Sequence, residues 1–261
     1  MTTKTFTRAL VTGASSGIGQ AFARHLAADG VDLVIVARRT ALLDALAKEL
    51  EAQELDVQVE VITADLLDPD DLLRVSTRLG QGPPIDLLVN NAGFGSTRPF
   101  AASDLDTELG QVQIHIEAMM TLTHAALNAM SDRHGGGILN VSSMGGFQPL
   151  PNGATYAACK AFETSFTESV RLENASTGIH LTALCPGFVD TAMVQGDASL
   201  SKMPKSVLLT AQRVAREGLD GVAENKAVVI PGMAWKAAAA LTDSLPRSAT
   251  RLLMAGVNHF R

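Results

Sequence analysis

The chain reads Thr12-Gly13-Ala14-Ser15-Ser16-Gly17-Ile18-Gly19 between a predicted strand, residues 8–12, and a predicted helix, residues 17–29. Gly13 permits a tight turn, Gly17 lets the backbone approach a pyrophosphate, and Gly19 allows the helix to pack closely on the sheet. The amino terminus of the helix offers free N–H groups and a partial positive charge to phosphates. Three glycines after a strand can also simply form a turn, but their place at the first strand–helix junction favours a dinucleotide site.

Working outward from this turn, short apolar runs alternate with stretches of helical periodicity. The further predicted strands are residues 31–37, 57–63, 85–89, 137–141, 179–184 and 227–230. Apolar strands separated by helices indicate a parallel sheet covered on both faces, and right-handed crossovers favour a doubly wound topology. We therefore predict an α/β fold of the Rossmann type, with a seven-stranded parallel sheet in a single domain over residues 1–261.

The segments between the strands predict helices and one long loop. Residues 40–53 have leucines at helical spacing with Thr40 as a candidate N-cap, and Asp68-Pro69-Asp70-Asp71 opens another helix. Residues 111–130 form a further predicted helix. The stretch 191–210 has weak periodicity and is predicted to be a substrate loop, either mobile or folded into short helices. Residues 233–261 are predicted to be a helical extension that is broken near Pro246.

The composition narrows the class of protein. Of 261 residues, 46% are hydrophobic and 18% are charged, which is enough to bury a sizeable core. A formal net charge of −6 argues against nucleic-acid binding through a broad basic surface. Two cysteines cannot form a disulfide framework, and no apolar run approaches the roughly 20 residues that span a bilayer. With no signal-peptide pattern at the amino terminus, we expect a cytoplasmic protein that does not bind nucleic acid.

Motifs further along the chain agree with a dinucleotide site. Asn90-Asn91-Ala92-Gly93 follows the fourth predicted strand. Tyr156 and Lys160 form a Tyr-x-x-x-Lys pattern, and Ser143 precedes Tyr156 by thirteen positions. Pro186-Gly187 follows the sixth predicted strand, with a threonine shortly after it. In this order and spacing, residues 10–191 resemble the short-chain dehydrogenase/reductase (SDR) family.

The resemblance implies an oxidoreductase that interconverts a carbonyl compound and an alcohol with a nicotinamide dinucleotide. Asp65 matches the family aspartate that accepts a hydrogen bond from the adenine amino group. Val189 and Thr191 match positions that hold the nicotinamide carboxamide and the adjoining phosphate, although Thr191 could also be a helix N-cap. The complete set of implied cofactor-binding residues is Gly13, Ser15, Ser16, Gly17, Ile18, Gly19, Arg38, Arg39, Asp65, Leu66, Asn90, Asn91, Ala92, Gly93, Tyr156, Lys160, Pro186, Gly187, Val189 and Thr191.

The end of the second predicted strand, Ala37-Arg38-Arg39, distinguishes between the two nicotinamide cofactors. An acidic residue here would bind the ribose 2′-hydroxyl and repel a 2′-phosphate, and this chain has none at this point. Two guanidinium groups can pair with a phosphate bidentately. The alternative is that both arginines are solvated or cap nearby carbonyls. We predict NADP(H) rather than NAD(H), with Arg38 as the principal ligand.

Carbonyl reduction by hydride needs an acid for the developing alkoxide and donors that polarise the C=O group. Lys160 follows Tyr156 by four residues, so the two share a helix face, and its ammonium would favour the tyrosinate. We predict Tyr156 as the acid/base, Ser143 as the polarising group, and Lys160 as the activator of Tyr156 and a ribose ligand. Tyr156 could instead be a packed aromatic, but it is the only tyrosine and lies where the family pattern requires one.

His115 departs from the family pattern. It stands where SDR relatives have the asparagine of a Ser-Tyr-Lys-Asn tetrad, which helps to hold a water that links the lysine to solvent. A neutral histidine could preserve a proton relay with a changed pH response, or it could simply be packed between helices. His115, His124 and His134 lack acidic or cysteine partners at ligand spacing, so no metal site is predicted. Cys159 and Cys185 are interpreted as buried small residues rather than nucleophiles.

The predicted substrate site lies over the carboxyl ends of the strands. Its rim is largely apolar and includes Met144, Phe147, Leu150, Phe188, Met193 and Met203. No arginine or lysine lies within residues 145–152 to bind a substrate carboxylate. We therefore expect a largely apolar ketone, aldehyde or alcohol as the substrate.

The partners are predicted partly from the resemblance, which implies a homodimer or homotetramer. The extension 233–261 is basic, and we expect its helices to pack on the domain or on a second subunit rather than on a membrane surface. A second function stays open from the sequence. The chain could be a catalytically weak dinucleotide-binding protein that acts as a redox-responsive or membrane-peripheral partner.

Overall fold

The computed structural model describes residues 6–52, 57–133, 135–195 and 207–244. Within these residues, seven strands form one sheet in the order β3-β2-β1-β4-β5-β6-β7, with every neighbouring pair parallel. The strands are β1 Arg8–Thr12, β2 Asp32–Ala37, β3 Val59–Thr63, β4 Leu87–Asn90, β5 Gly136–Val141, β6 Ile179–Leu184 and β7 Val228–Val229. The order reverses between β1 and β4, which opens a crevice at the carboxyl ends of these strands. The predicted Rossmann-type sheet is confirmed.

Helices cover both faces of the sheet, so consecutive residues of one strand pack into different cores. Ala9 and Val11 belong to a core shared with the helices on one face, whereas Leu10 belongs to the core on the other. The helices are α1 Gly17–Ala28, α2 Thr40–Glu51, α3 Pro69–Gly80, α4 Leu105–Val112, α5 Met119–Ser131, α6 Ala154–Glu173, α7 Ala192–Gln195, α8 Ala211–Ala223 and α9 Met233–Ser244. α1, α2 and α8 supply the first core, and α3, α5 and α6 the second.

Several predicted boundaries differ from the observed ones. The third strand begins at Val59 rather than at residue 57, and the seventh is limited to Val228–Val229. Thr40 is the first residue of α2 rather than its N-cap, because its hydroxyl bonds to that of Thr63 at the end of β3. Asp68 does cap α3 and accepts from the amides of Asp70 and Asp71.

The helix predicted over residues 111–130 begins earlier and is interrupted. α4 starts at Leu105, where Asp104 accepts a hydrogen bond from the amide of Thr107. Between α4 and α5 the chain forms a π-helical segment, Gln113–Ala118, which we call the π turn. Segments of this kind are rare in proteins, and those that occur are often found at functional sites. The π turn carries His115, so the departure from regular helix coincides with the departure from the family pattern.

The predicted substrate loop is described only at its two ends. Residues 192–195 form the short helix α7, and Val189 pairs with Leu209 across the loop. Gly196, Met203 and Pro204 lie outside the described residues, as do the side chain of Met193, His134, and the part of the extension that follows α9. In the described parts of the chain, no helix combines the length and apolarity needed to cross a bilayer.

Candidate active site

The glycine-rich turn between β1 and α1 has a left-handed backbone at two of its glycines. Gly13 and Gly17 have φ of +67° and +59°, in the left-handed region that favours glycine. A Cβ on Gly19 would lie 2.3 Å from the Gly13 carbonyl oxygen, so the helix starts in contact with the turn. Ser16 is the N-cap residue of α1 but makes no side-chain cap. The first N–H groups of α1 are therefore not capped by the Ser16 side chain, which leaves them available to a phosphate.

The Asn-Asn-Ala-Gly segment after β4 is fastened to this turn. The Thr12 hydroxyl accepts from the amides of Asn91 and Ala92 at 2.9 and 3.0 Å, and the Asn91 side-chain amide donates to the Thr12 carbonyl at 2.9 Å. Asn90 is buried, and its amide nitrogen donates to Thr123 and Asn140. Asn90 thus joins β4, β5 and α5, which sets the position of the segment that follows it.

Both predicted arginines lie at the carboxyl end of β2, but they face different groups. Arg39 reaches over the glycine-rich turn, where its Nη2 donates to the hydroxyls of Ser15 and Ser16 at 2.9 and 2.7 Å. The Nη1 of Arg38 lies 3.8 Å from a carboxylate oxygen of Asp65, and Arg38 is largely exposed. The structure therefore brings Arg39 closer to the turn than Arg38, which the sequence favoured as the principal ligand.

The remaining predicted cofactor residues line the same edge of the sheet. Leu66 is buried directly after Asp65, and Ile18 packs partly against the core. A Cβ on Gly17 would lie 3.3 Å from the Thr191 methyl group, so Thr191 is next to the turn. Pro186 accepts a backbone hydrogen bond from Met144 at 2.9 Å, which joins the segment after β6 to the segment after β5. Gly187 and Val189 follow on the same strand end.

Ser143 and Tyr156 come together after β5 and at the start of α6. A Cβ on Gly145 would lie 3.4 Å from the Ser143 hydroxyl and 3.5 Å from the Tyr156 ring. The Tyr156 ring also borders Gly95, because a Cβ placed on Gly95 would lie 3.1 Å from the ring. Ser143 accepts a hydrogen bond from the Gly145 amide at 3.0 Å, which leaves its own proton available to a substrate oxygen. Both side chains are partly exposed at the crevice.

Lys160 lies one helical turn below Tyr156 and is fixed by buried acceptors. Its Nζ is 5.5 Å from the centre of the Tyr156 ring. It donates to the Val141 carbonyl at 2.8 Å and to the two carboxylate oxygens of Glu163 at 2.9 and 3.1 Å. Lys160 is only 5% exposed, so it is a buried lysine and not a surface residue of α6.

His115 is held by two contacts inside this cluster. One ring nitrogen, Nε2, lies 2.8 Å from the Phe94 carbonyl, and the other, Nδ1, lies 3.0 Å from a carboxylate oxygen of Glu163. Its ring contacts the Tyr156 ring edge to face, with centroids 5.7 Å apart. A Cβ on Gly93 would lie 2.3 Å from the ring, so only glycine fits beside this histidine.

Burial sets the charge states around Lys160. The pKa of His115 is lowered by burial and by the nearby Lys160 ammonium. For Lys160, burial opposes the charged form, but attraction to Glu163 and Tyr156 outweighs it and the pKa is raised. Burial raises the pKa of both Cys159 and Cys185 to about 11. Both thiols are therefore protonated at neutral pH, which agrees with their interpretation as buried small residues.

The substrate side of the crevice is bordered by apolar groups. Met144 is buried, whereas Phe147, Leu150 and Phe188 are partly exposed. Trp235 of α9 packs edge to face on Phe188 with centroids 5.6 Å apart, and its indole N–H donates to the Val207 carbonyl at 3.3 Å. In the part of the chain that the structure describes, no three His, Cys, Asp or Glu side chains form a group that could hold a metal ion.

Glu163 and Trp235 were not among the residues predicted from the sequence. Glu163 follows Lys160 by three positions, which places both on one face of a helix, and this spacing was a usable signal. Its contact with His115 depends on how α6 packs against the π turn, which the spacing does not reveal. Trp235 borders the site only because α9 returns to the carboxyl end of the sheet.

Comparison with known proteins shows that most of the chain is similar to proteins of one family. Residues 7–200 match the family model described as short chain dehydrogenase. A 3-oxoacyl-[acyl-carrier-protein] reductase of Synechocystis sp. is 35% identical over 199 residues, 75% of this chain and 79% of the relative. A solved short-chain dehydrogenase from Sphingobium yanoikuyae in complex with NADPH is 31% identical, with a TM-score of 0.83 and 95% of each chain covered. A bulky-bulky ketone specific alcohol dehydrogenase from Comamonas testosteroni is 30% identical, with a TM-score of 0.79, 92% of this chain and 95% of that chain covered.

Proposed function

The chain belongs to the short-chain dehydrogenase family, and on this premise we propose that it is an NADP(H)-dependent oxidoreductase acting on a largely apolar ketone or aldehyde and the corresponding alcohol. The observation that carries the proposal is the Tyr156 hydroxyphenyl group at the crevice, with Ser143 beside it and the buried Lys160 ammonium one turn below. A proton donor, a polarising hydroxyl and a fixed positive charge are what carbonyl reduction by hydride requires.

The residues around the glycine-rich turn fit a dinucleotide. The amino terminus of α1 and the backbone of the turn would hold the pyrophosphate. Arg39 and Arg38 would bind a ribose 2′-phosphate, and Asp65 the adenine, after its contact with Arg38 opens. The related Sphingobium enzyme was solved with NADPH, which supports the phosphorylated cofactor. When bound, this cofactor supplies the hydride.

The chain's own residues would orient the carbonyl and supply the proton. Ser143 would donate a hydrogen bond to the carbonyl oxygen, and Tyr156 would transfer its phenolic proton to that oxygen as charge develops. Lys160 would bind the cofactor ribose and stabilise the tyrosinate that remains. The segment after β6, from Pro186 to Thr191, would close the nicotinamide side.

An apolar substrate is supported by the groups that border the crevice. Phe147, Leu150, Phe188 and Trp235 present carbon surface, and apolar surface with few polar groups is typical of sites that bind small apolar molecules. The similar Comamonas enzyme is described as bulky-bulky ketone specific. We infer a ketone or aldehyde with an apolar group on at least one side of the carbonyl.

We also propose that copies of the chain associate as a homodimer or homotetramer. Phe100, Leu105 and Leu109, at and before α4, are 60%, 61% and 52% exposed. Apolar surface of this kind is often covered in an assembly.

The function is tested by following NADPH oxidation with a series of apolar ketones and aldehydes of increasing size. We expect turnover with NADPH at a kcat/KM at least about 10-fold above that with NADH. A keto acid of matched carbon number serves as the control substrate, and its kcat/KM should be lower because residues 145–152 offer no cation for the carboxylate. Failure of both dinucleotides to be oxidised, or a preference for NADH, would contradict the proposal.

Arg38 and Arg39 provide a separate test of cofactor choice. Arg39→Met and Arg38→Met should each raise the Kd for NADPH by about 10-fold or more, because a hydrogen bond to a charged group contributes roughly 1.5–3 kcal/mol. The Kd for NADH should stay unchanged. Quenching of intrinsic fluorescence measures both constants, and Arg24→Met, on the exposed face of α1, is the matched control. Equal losses for the two dinucleotides would show that the arginines do not select the 2′-phosphate.

A further inference from the structure

Glu163 is the charged residue nearest to Lys160 within the described residues. The Glu163 and Lys160 residues are 3% and 5% exposed, and the lysine ammonium lies within 3.1 Å of both carboxylate oxygens. Charges are rarely buried to this extent unless they are paired. Glu163 therefore supplies the negative charge that keeps Lys160 protonated in place below Tyr156.

The contacts of His115 require a proton between His115 and Glu163. The Phe94 carbonyl can only accept a hydrogen bond, so Nε2 of His115 carries a proton. Nδ1 then faces the Glu163 oxygen at 3.0 Å. Without a proton, two lone pairs would oppose each other at this distance. One proton is therefore shared between Nδ1 of His115 and the Glu163 carboxyl group, which leaves Glu163 partly negative beside the ammonium of Lys160.

A small cavity with both polar and apolar lining residues borders Glu163. It has a volume of about 10 Å³ and is lined by Glu163, Asn90 and Thr12 among other residues. The Asn90 side-chain oxygen is buried and has no hydrogen-bond partner among the described residues. A polar cavity of about this volume is the smallest that accepts one water molecule. Glu163 thus borders a water-sized space that Tyr156 does not line.

From this arrangement we propose that Glu163 is a positioning residue for proton return: it bridges His115 and Lys160 and, with His115, holds the proton that restores Lys160 after each reduction. The inference rests on the proposed function. Reduction adds a hydride to the carbonyl carbon and the Tyr156 proton to the oxygen. Tyrosinate then takes a proton from Lys160, and Lys160 takes the proton held between Glu163 and His115. A proton from solvent, passed on by a water molecule that is itself reprotonated, replaces that proton, so each step has one donor and one acceptor.

The pH response follows from the groups that face Glu163. Removing its carboxylate leaves burial to act on Lys160, whose pKa is raised by Glu163 in the wild-type chain. The ammonium is then lost at lower pH. The titratable groups around the cluster are His115 on the π turn, Lys160, Tyr156 and Cys159 on α6, Cys185 after β6, and Glu108 of α4 beyond Cys159.

The test is Glu163→Gln, which keeps the side-chain shape and removes the charge. The alkaline limb of the kcat profile for ketone reduction should move about 1–3 pH units lower, which is the range an adjacent opposite charge produces. Glu168→Gln, on the exposed side of the same helix, should leave the profile at its wild-type position. A loss of folded protein alone would lower kcat at every pH. An alkaline limb at the wild-type position would overturn the proposal.

A second measurement needs neither cofactor nor turnover. Nuclear magnetic resonance of the cofactor-free, nitrogen-labelled protein should show a far-downfield proton shared by His115 Nδ1 and Glu163, identified by its loss in His115→Asn. Glu163→Gln should also remove it. Absence of this proton in the wild-type chain would overturn the proposal. This result does not depend on whether the Glu163→Gln chain folds. If the wild-type chain showed the proton but reduced no carbonyl, the proposed function would fail and the proton site would stand.

Discussion

Tyr156→Phe should lower the rate of carbonyl reduction by about 10²–10⁴-fold, the range that a positioned general acid contributes. The phenylalanine ring retains the packing of Tyr156 between Gly95 and Gly145 and its contact with His115. Only the proton that would meet the developing alkoxide is removed. Single-turnover oxidation of bound NADPH measures the chemical step without product release.

Tyr156→Phe removes only a hydroxyl group, so its other properties serve as controls. Affinity for NADPH and the thermal midpoint should stay near their wild-type values, since the Lys160 ammonium retains its contacts with Glu163 and Val141. Ser143→Ala should also lower the single-turnover rate, because the Ser143 hydroxyl lies beside Tyr156 at Gly145 and would contact the same carbonyl oxygen. Equal single-turnover rates for wild type and Tyr156→Phe would remove Tyr156 from the mechanism and leave a dinucleotide-binding protein without an assigned acid.

The features that could be predicted from the sequence are those set by short spacing. The glycine-rich turn, the apolar strands and the Tyr156–Lys160 pair each depend on residues that are near each other in the chain, so periodicity and resemblance were enough. The doubly wound parallel sheet with helices on both faces followed from apolar strands that alternate with helices. Boundaries were less accurate where side chains compete with the backbone. Thr40 is an example, because its hydroxyl bonds to Thr63 from a neighbouring strand.

Features that depend on packing between distant segments could not be predicted. The sequence identifies His115 as a departure from the family pattern but fits both a proton relay and simple packing between helices. Its partner Glu163 is 48 positions further along the chain, and the two meet only because the π turn packs against α6. Arg39 rather than Arg38 reaches the glycine-rich turn because the chain bends into α2 directly after β2. In each case the missing information was the direction of a side chain in space.

Gly19→Ala should be the most damaging single-methyl substitution in the dinucleotide site. An alanine Cβ would lie 2.3 Å from the Gly13 carbonyl oxygen and 2.5 Å from the Asn91 side-chain nitrogen. The carbonyl belongs to the backbone of the turn, and Asn91 is held by Thr12, so neither can yield without opening the turn. Overpacking of a tight site costs about 1–3 kcal/mol and occasionally more. We expect a loss of about 3 kcal/mol in the free energy of unfolding, and NADPH affinity reduced by about 100-fold as the phosphate-binding amides separate.

The matched control is Gly80→Ala at the end of α3, where an added Cβ meets no atom within 4 Å. This substitution should leave the free energy of unfolding unchanged or raise it by about 0.4–1 kcal/mol, because alanine restricts the unfolded chain more than glycine does. Urea unfolding of the cofactor-free chains compares the two variants, and fluorescence titration gives their NADPH affinity. Because both substitutions add one methyl group to a helical glycine, the difference between them isolates the close approach of α1 to the turn. A Gly19→Ala chain as stable as Gly80→Ala, with wild-type affinity for NADPH, would mean that the turn can open without cost and that its tight backbone does not form the phosphate site.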